Sequence, residues 1–285
     1  MPLNLEKLNY RYMTGTPFEV QALADVSLQV ADGEFVGIIG HTGCGKSTLI
    51  QLIAGLLKPT SGIVRVNGED INAQGYDRKR LRRAVGVVFQ YPEYQLFEET
   101  VGKDVAFGPL KTGMNAEEAR ESAENALRLV GFEPRDITEV SPFDLSGGQK
   151  RKVAIAGVLA MNPGILILDE PIAGLDPIGR EHLMQLVRKL NAGGTTIMMI
   201  SHNMDGLCDY ASRIIAMQHG EICADGTPKE VFGDIEKIRA VGLGASEARE
   251  TVDLLQKRGW DIPSDIIKKD ELVDFILKHK EDNRC

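Results

Sequence analysis

Apolar and polar positions alternate over much of the first thirty residues. Asn4–Tyr12 and Ala24–Val30 carry partly alternating apolar side chains, the period-two mark of half-buried strands. Asp32-Gly33 supplies a turn, and the apolar run Phe35–Ile39 predicts a buried strand. After a glycine-rich stretch the pattern becomes helical, from Lys46 to about Ala54. Gly62–Val66 predicts a strand closed by the hairpin turn Asn67-Gly68, and Val85–Phe89 a short apolar strand. From Asn115 to Val130, residues Ala119, Ala123, Ala126, Leu127 and Val130 form one helical stripe. Asn115 stands at the N-cap, and Glu117 and Glu118 occupy the first turn, where the helix dipole favours acids. Gly148–Ala160 predicts another helix. Strands and helices then alternate: Ile165–Leu168, Pro177–Asn191, Thr195–Ile200, Met204–Ala211, and a hairpin of Arg213–Met217 and Glu221–Ala224 turning at His219-Gly220. Such alternation predicts an α/β fold with a mostly parallel sheet covered on both faces. The helical stretch at about 91–163 interrupts it and is expected to form a separate lobe. Beyond Gly226-Thr227-Pro228 the pattern becomes short helices, one opening at Ser246 and ending at Arg258-Gly259, another running from Asp270 to about Lys280. The expected division is a main domain over 1–227 and a small helical unit over 228–285.

Composition narrows the class. Of 285 residues, 43% are hydrophobic, which excludes intrinsic disorder. No apolar run approaches the ~20 residues of a membrane-spanning helix, and the start Met-Pro-Leu-Asn-Leu-Glu has no signal-sequence pattern. The 33 Lys and Arg against 41 Asp and Glu leave a net charge of −8, which argues against a general nucleic-acid or anionic-lipid surface. Cys44, Cys208, Cys223 and Cys285 are scattered and suggest neither a zinc site nor a disulfide framework, so a reducing, cytosolic setting is expected.

Gly40-His41-Thr42-Gly43-Cys44-Gly45-Lys46-Ser47 matches G-x-x-x-x-G-K-[ST], placed between a predicted strand and a predicted helix as that motif requires. Its glycines let backbone N–H groups turn inward around phosphate oxygens. The helix opening near Lys46 adds about half a positive charge at its N-terminus. Lys46 supplies a full charge for β- and γ-phosphates, Ser47 a hydroxyl for Mg²⁺, and Thr48 reaches the α-phosphate. A dinucleotide fingerprint is the weaker alternative, because Gly43-x-Gly45 lacks its third small residue and Lys46 has no role there.

The apolar strand Ile165–Leu168 ends in Asp169-Glu170, at the edge where ligands bind in a doubly wound sheet. Asp169 is placed to hold Mg²⁺ and Glu170 to orient or deprotonate an attacking water. His202 follows the strand Thr195–Ile200 onto the same edge, within reach of a γ-phosphate, and Gln90 ends the strand Val85–Phe89 with an amide for the metal or the water. Singly, each is an ordinary polar strand end; their weight comes from the set. His41, His182, His219 and His279 have no comparable placement as single side chains and read as surface or turn residues.

With Leu145-Ser146-Gly147-Gly148-Gln149 the set resembles the ATPase subunits of ABC transporters, over residues 1–227. The order is theirs throughout: the Walker A loop Gly40–Thr48, the Gln90 loop, the signature, Walker B with Glu170, the D-loop Ala173-Gly174-Leu175-Asp176, and the switch Ser201-His202. The resemblance implies a P-loop NTPase with a RecA-like core, an antiparallel β subdomain and a helical signature subdomain, followed by the small C-terminal helical extension. It implies ATP and Mg²⁺ as cofactors, and Tyr12 as the aromatic that stacks on adenine, with Phe18 as substitute. Within the signature, Ser146 and two glycines precede the predicted helix and make a second anion site at a helix N-terminus. In the family, the signature of one subunit closes over the ATP held by the other, with Asp176 working across the interface. Ile172 departs from the usual Thr, Ser or Phe, at a position without a catalytic role.

Val88–Phe97, Thr100-Val101, Asp104–Pro109 and Gln149–Met161 resemble more closely the ATPases of energy-coupling factor (ECF) transporters, and Tyr10–Glu19 the second of their two paralogous ATPases. This implies a heterodimer with a second ECF ATPase subunit, a transmembrane coupling protein docked near the Gln90 loop, and substrate-specific membrane subunits for vitamins or metal ions. It also places the chain at the cytoplasmic face of the cell membrane, as a peripheral protein without nucleic acid, with 228–285 helping to join the ATPases. The alternatives are an ATPase of another ABC transporter class or a non-transport ABC ATPase. The latter families insert long coiled coils or carry two ATPase domains, and neither fits one motif set in 285 residues. A scaffold without hydrolysis is disfavoured by Glu170.

Overall fold

The computed structural model describes residues 2–240 and 242–282, with side chains up to 278. Strands β1 (Leu3–Tyr12) and β2 (Val20–Val30) lead to β3 (Phe35–Gly40) and helix α1 (Lys46–Ile53). β4 (Ser61–Val66) and β5 (Glu69–Asp70) precede α2 (Arg78–Ala84) and β6 (Val85–Val88). A 3₁₀ turn at Pro92–Gln95 opens the helical lobe of α3 (Val101–Thr112), α4 (Ala116–Leu129), α5 (Pro134–Ile137) and α6 (Gly147–Leu159). The chain then alternates through β7 (Ile165–Asp169), α7 (Pro177–Ala192), β8 (Thr196–Ile200), α8 (Met204–Tyr210), β9 (Arg213–Gln218) and β10 (Glu221–Gly226). Helices α9 (Pro228–Gly233), α10 (Ile235–Ala240), α11 (Glu247–Lys257) and α12 (Lys269–Asp282) follow.

Six strands form one sheet in the order β10-β9-β3-β8-β7-β6, parallel except for the edge strand β10. Their uniform hydrophobicity is explained by burial on both faces. Phe35 and Ile39 of β3, Leu166 and Leu168 of β7, and Ile197 and Met199 of β8 join one core with the helical lobe. The alternate residues Val36, Ile38, Ile165, Ile167, Met198 and Ile200 join a second core, shared with α1 and a four-stranded antiparallel sheet of order β2-β1-β4-β5. In that smaller sheet Asn67 and Gly68 both have positive φ (52° and 83°), the geometry a two-residue hairpin turn needs.

In the lobe, Asn115 and Glu118 form a reciprocal capping box at the start of α4, and its apolar stripe is buried. The chain after 227 is tied to the body: Val231, Phe232, Ile238 and Ile267 enter the first core, while Ala248, Val252, Ile262, Ile266 and Leu272 form a small core of their own. Gly242 lies against the phosphate loop, since a Cβ there would come 2.5 Å from His41 Nε2. Cys44, Cys208 and Cys223 are free thiols; Cys285 and the side chain of His279 lie outside the described residues. Among the described residues no helix is long and apolar enough to cross a membrane.

Candidate functional site

Strands β3, β6, β7 and β8 run parallel, and their registers (Ile38 beside Ile200, Asp169 beside Ile200, Val88 beside Leu168) bring their C-terminal ends to one edge. That edge and the start of β2 enclose a cleft of about 570 Å³, lined by Tyr12, Lys46, Ser47, Gln90, Asp169 and His202 among others. Thr42, Gly43, Gly45, Thr48 and Glu170 complete the sequence-predicted part of its wall.

The loop after β3 is shaped by what its glycines exclude. Gly45 has φ +106°, and a Cβ there would meet the Ala22 carbonyl at 2.5 Å. Gly40 is equally confined, by Cys44 Sγ and the Met217 carbonyl. The loop is thus pressed between β2 and β9, and within it the Cys44 N–H donates to the His41 carbonyl. Lys46 is buried and donates from Nζ to the carbonyls of Gly40 at 2.6 Å and His41 at 2.8 Å. The first turn of α1 carries no acid that would compete with an anion. Tyr12 stands over this loop with its hydroxyl 3.1 Å from Thr48 Oγ1, its ring braced edge-on by Tyr10. Phe18 is 75% exposed and does not line the cleft.

Asp169 and Glu170 face Lys46 across the cleft. Burial pushes both carboxyls above their ordinary range, opposed by the positive charge of Lys46 and by His202. His202 Nε2 lies 3.4 Å from Glu170 Oε1 without an aligned hydrogen bond, and Glu170 Oε1 has no other donor. Glu170 has φ +49°, a strained conformation for a residue with a side chain. Its N–H donates to the Ile200 carbonyl, which fixes the turn to β8.

The signature lies elsewhere. Ser146, Gly148, Gln149 and Asp176 line a different cleft of about 710 Å³, between α6 and α7. Ser146 caps α6 and exchanges hydrogen bonds with Gln149, while a Cβ on Gly147 or Gly148 would meet nothing within 4 Å. Leu145 packs against the main core, and Asp176 caps α7 by accepting from the Gly179 N–H at 2.8 Å. The structure therefore gathers Thr42, Gly43 and Gly45–Thr48 of the phosphate loop with the carboxylates, Gln90, His202 and Tyr12, leaves Gly40, His41 and Cys44 off the cleft wall, and separates the set from the signature and Asp176.

Some lining residues have no sequence signal. Val20, Gln21 and Ala22 wall the first cleft because β2 begins earlier than its alternation suggests, and His182, read as a surface residue, lines the second. The loop after Gln90 is ordered by the Asp104 carboxylate, which accepts from the Phe97 and Glu98 N–H groups. It leaves Tyr94 84% exposed, beside the edge-to-face pair Phe97 and Phe107.

Comparison with known proteins agrees with this geometry. The family model described as ABC transporter matches residues 23–173. The energy-coupling factor transporter ATP-binding protein EcfA2 of Caldanaerobacter subterraneus subsp. tengcongensis is 47% identical over 280 residues, covering 98% of each chain. Among solved structures, cbiO1 from Clostridium perfringens, part of the ABC transporter complex cbiONQ, superposes with a TM-score of 0.72 at 39% identity, covering 90% of this chain and 98% of its own. The cassette MJ0796, solved as a dimer bound to ADP and Pi, matches with a TM-score of 0.70 at 34% identity, over 79% of this chain and 98% of its own. The chain belongs to the ABC transporter family, among the ATP-binding proteins of energy-coupling factor transporters.

Proposed function

We propose that this chain binds and hydrolyses ATP as one subunit of an ECF-type importer, in a head-to-tail dimer with a second, related ATPase. The observation that carries the dimer is the division of anion-binding elements between two separate clefts of one chain, the phosphate loop, Lys46 and the carboxylates in one and the signature and Asp176 in the other. In the dimer the signature of each subunit covers the ATP held at the partner's phosphate loop, and Asp176 works across the interface. The exposed aromatic loop around Tyr94 receives a transmembrane coupling protein, which holds the chain at the cytoplasmic face of the membrane with substrate-specific subunits for vitamins or metal ions.

The residues divide the chemistry. Tyr12 stacks on adenine. The amides of Gly40–Thr48, the N-terminus of α1 and Lys46 hold the phosphates. Ser47, Gln90 and Asp169 offer a hydroxyl, an amide and a carboxylate on one wall, hard oxygen donors that fit Mg²⁺. When bound, that ion neutralises charge on the β- and γ-phosphates. Glu170 accepts the proton of the attacking water as its oxygen bonds to the γ-phosphorus and the bond to the β-phosphate oxygen breaks, giving ADP and phosphate. Its raised proton affinity suits a base. His202 contacts the γ-phosphate and steadies Glu170.

Glu170→Gln tests the assignment. Turnover should fall by roughly 100-fold or more while ATP binding persists. Ordinary multiple turnover in that variant overturns the base. Purifying the assembly from its own membrane and identifying each subunit tests the partners; nucleic acid in place of membrane proteins overturns the transport reading.

A further inference from the structure

Arg151 lies one turn into α6, just beyond the signature, and is 5% exposed. Its guanidinium reaches out of the helix to the chain that follows β7. Nη1 donates to the Ala173 carbonyl at 2.7 Å; Nη2 donates to the Pro171 carbonyl and, at 3.5 Å, to the Glu170 carbonyl. One side chain thus binds three carbonyls of the turn that begins at the strained Glu170. A strained residue persists only where its surroundings over-determine it, and this fork supplies much of that constraint.

The loop after Gln90 meets the same turn. Tyr91, itself at φ +56°, packs on the D-loop, its Cε1 4.0 Å from where a Cβ on Gly174 would stand. Two residues on, Glu93 brings a carboxylate into the field of the guanidinium: burial pulls Arg151 below its usual range, and Glu93 and Tyr91 work against that. Each partner keeps one atom in reserve. Arg151 Nε and Glu93 Oε2 are both buried without a hydrogen-bond partner. Buried unpaired groups are costly, so a movement of the loop that joined them would relieve both.

We propose that Arg151 is a positioning residue that ties the turn carrying Glu170 to the signature helix, and that Glu93 is its counter-charge, closing on Nε when the Gln90 loop moves inward. A displacement at the membrane-facing loop is then transmitted to the catalytic carboxylate through one guanidinium. The inference rests on the hydrolysis reading above and adds to it a route by which partner contact sets turnover.

The test uses the full-length chain with the subunits that co-purify with it. Arg151→Met should lower kcat by about tenfold or more, as small misplacements of catalytic groups do, with KM for ATP within about twofold. Arg151→Lys keeps the charge but loses the planar fork and should recover only part of kcat. Glu93→Gln, on a partly exposed loop, should lower kcat in the assembled complex without unfolding the chain. In Arg151→Met the Glu93→Gln change should have little further effect, because the two act as one unit. Wild-type kcat in folded Arg151→Met, or independent multiplicative losses in the double variant, overturns the proposal. If the wild-type assembly hydrolyses no ATP, the hydrolysis reading falls; if Glu170→Gln turns over normally, the base assignment falls; if Glu170→Gln is inert while Arg151→Met and Glu93→Gln are fully active, only the Arg151 relay falls.

Discussion

The clefts at Lys46 and at Ser146 are both helix N-termini suited to anions, but they are built differently. The first is walled by four strand ends and a loop whose end glycines, Gly40 and Gly45, are crowded by neighbouring backbone while Gly43 between them is not. Its charge is buried, and its geometry is set before any ligand arrives. The second is open: Ser146 and Gln149 satisfy each other, and the glycines face empty space. A pre-set pocket binds by itself, whereas an open helix end gains a ligand only when another surface supplies the remaining walls. In the proposed dimer, the contrast assigns affinity to the Lys46 half of the site and dependence on a partner to the Ser146 half.

Five variants test that contrast. Lys46→Ala should cost roughly 100-fold in ATP affinity, the loss expected of a buried charge-assisted contact, in a nucleotide titration of the isolated full-length chain. Gly147→Asp puts a carboxylate at the open helix end. It should leave that affinity within about twofold while lowering hydrolysis by the assembled dimer roughly 10- to 100-fold; weakened binding in the isolated chain would merge the two clefts into one site. Gly220, outside every motif, has φ +83°, accepts from the Ala24 N–H and donates to the Cys44 carbonyl, with the Ala22 carbonyl 2.8 Å from any added Cβ. Gly220→Ala should destabilise the chain by about 1–3 kcal/mol in urea unfolding and weaken ATP binding, while a signature-side glycine such as Gly148 should accept alanine without loss of stability. Asn115→Ala removes the cap of α4 and should cost about 1 kcal/mol, touching neither cleft.

Periodicity exposed the parallel strands because burial on both faces makes them continuously apolar, and it exposed α4 because one face is apolar and its cap is explicit. It left out α2, where Arg78–Ala84 is five basic residues around the single buried Leu81, and α3, whose stripe is broken by Gly102, Gly108 and Pro109. The phosphate loop and the carboxylate pair were legible because their chemistry is local: each is a few consecutive residues at one strand end. Val20, Gln21, Ala22, His182 and Arg151 were not, and Gly220 was legible only as a hairpin turn, because their roles come from contacts between segments far apart in sequence. The approach of Gly242 to His41 is of the same kind, and it joins the chain beyond residue 227 to the phosphate loop.

The left-handed backbone at Glu170 has a consequence for how the protein can change over time. That conformation costs a residue with a side chain about 1–3 kcal/mol, and the carboxylate bears a further burden from its burial. Glycine at this position would relieve both and yield a sturdier molecule without the proposed base. Selection for stability and selection for turnover therefore pull in opposite directions at one residue, so its retention depends on continued demand for hydrolysis. Screens for thermally hardened variants of this chain will favour its loss unless they also assay activity.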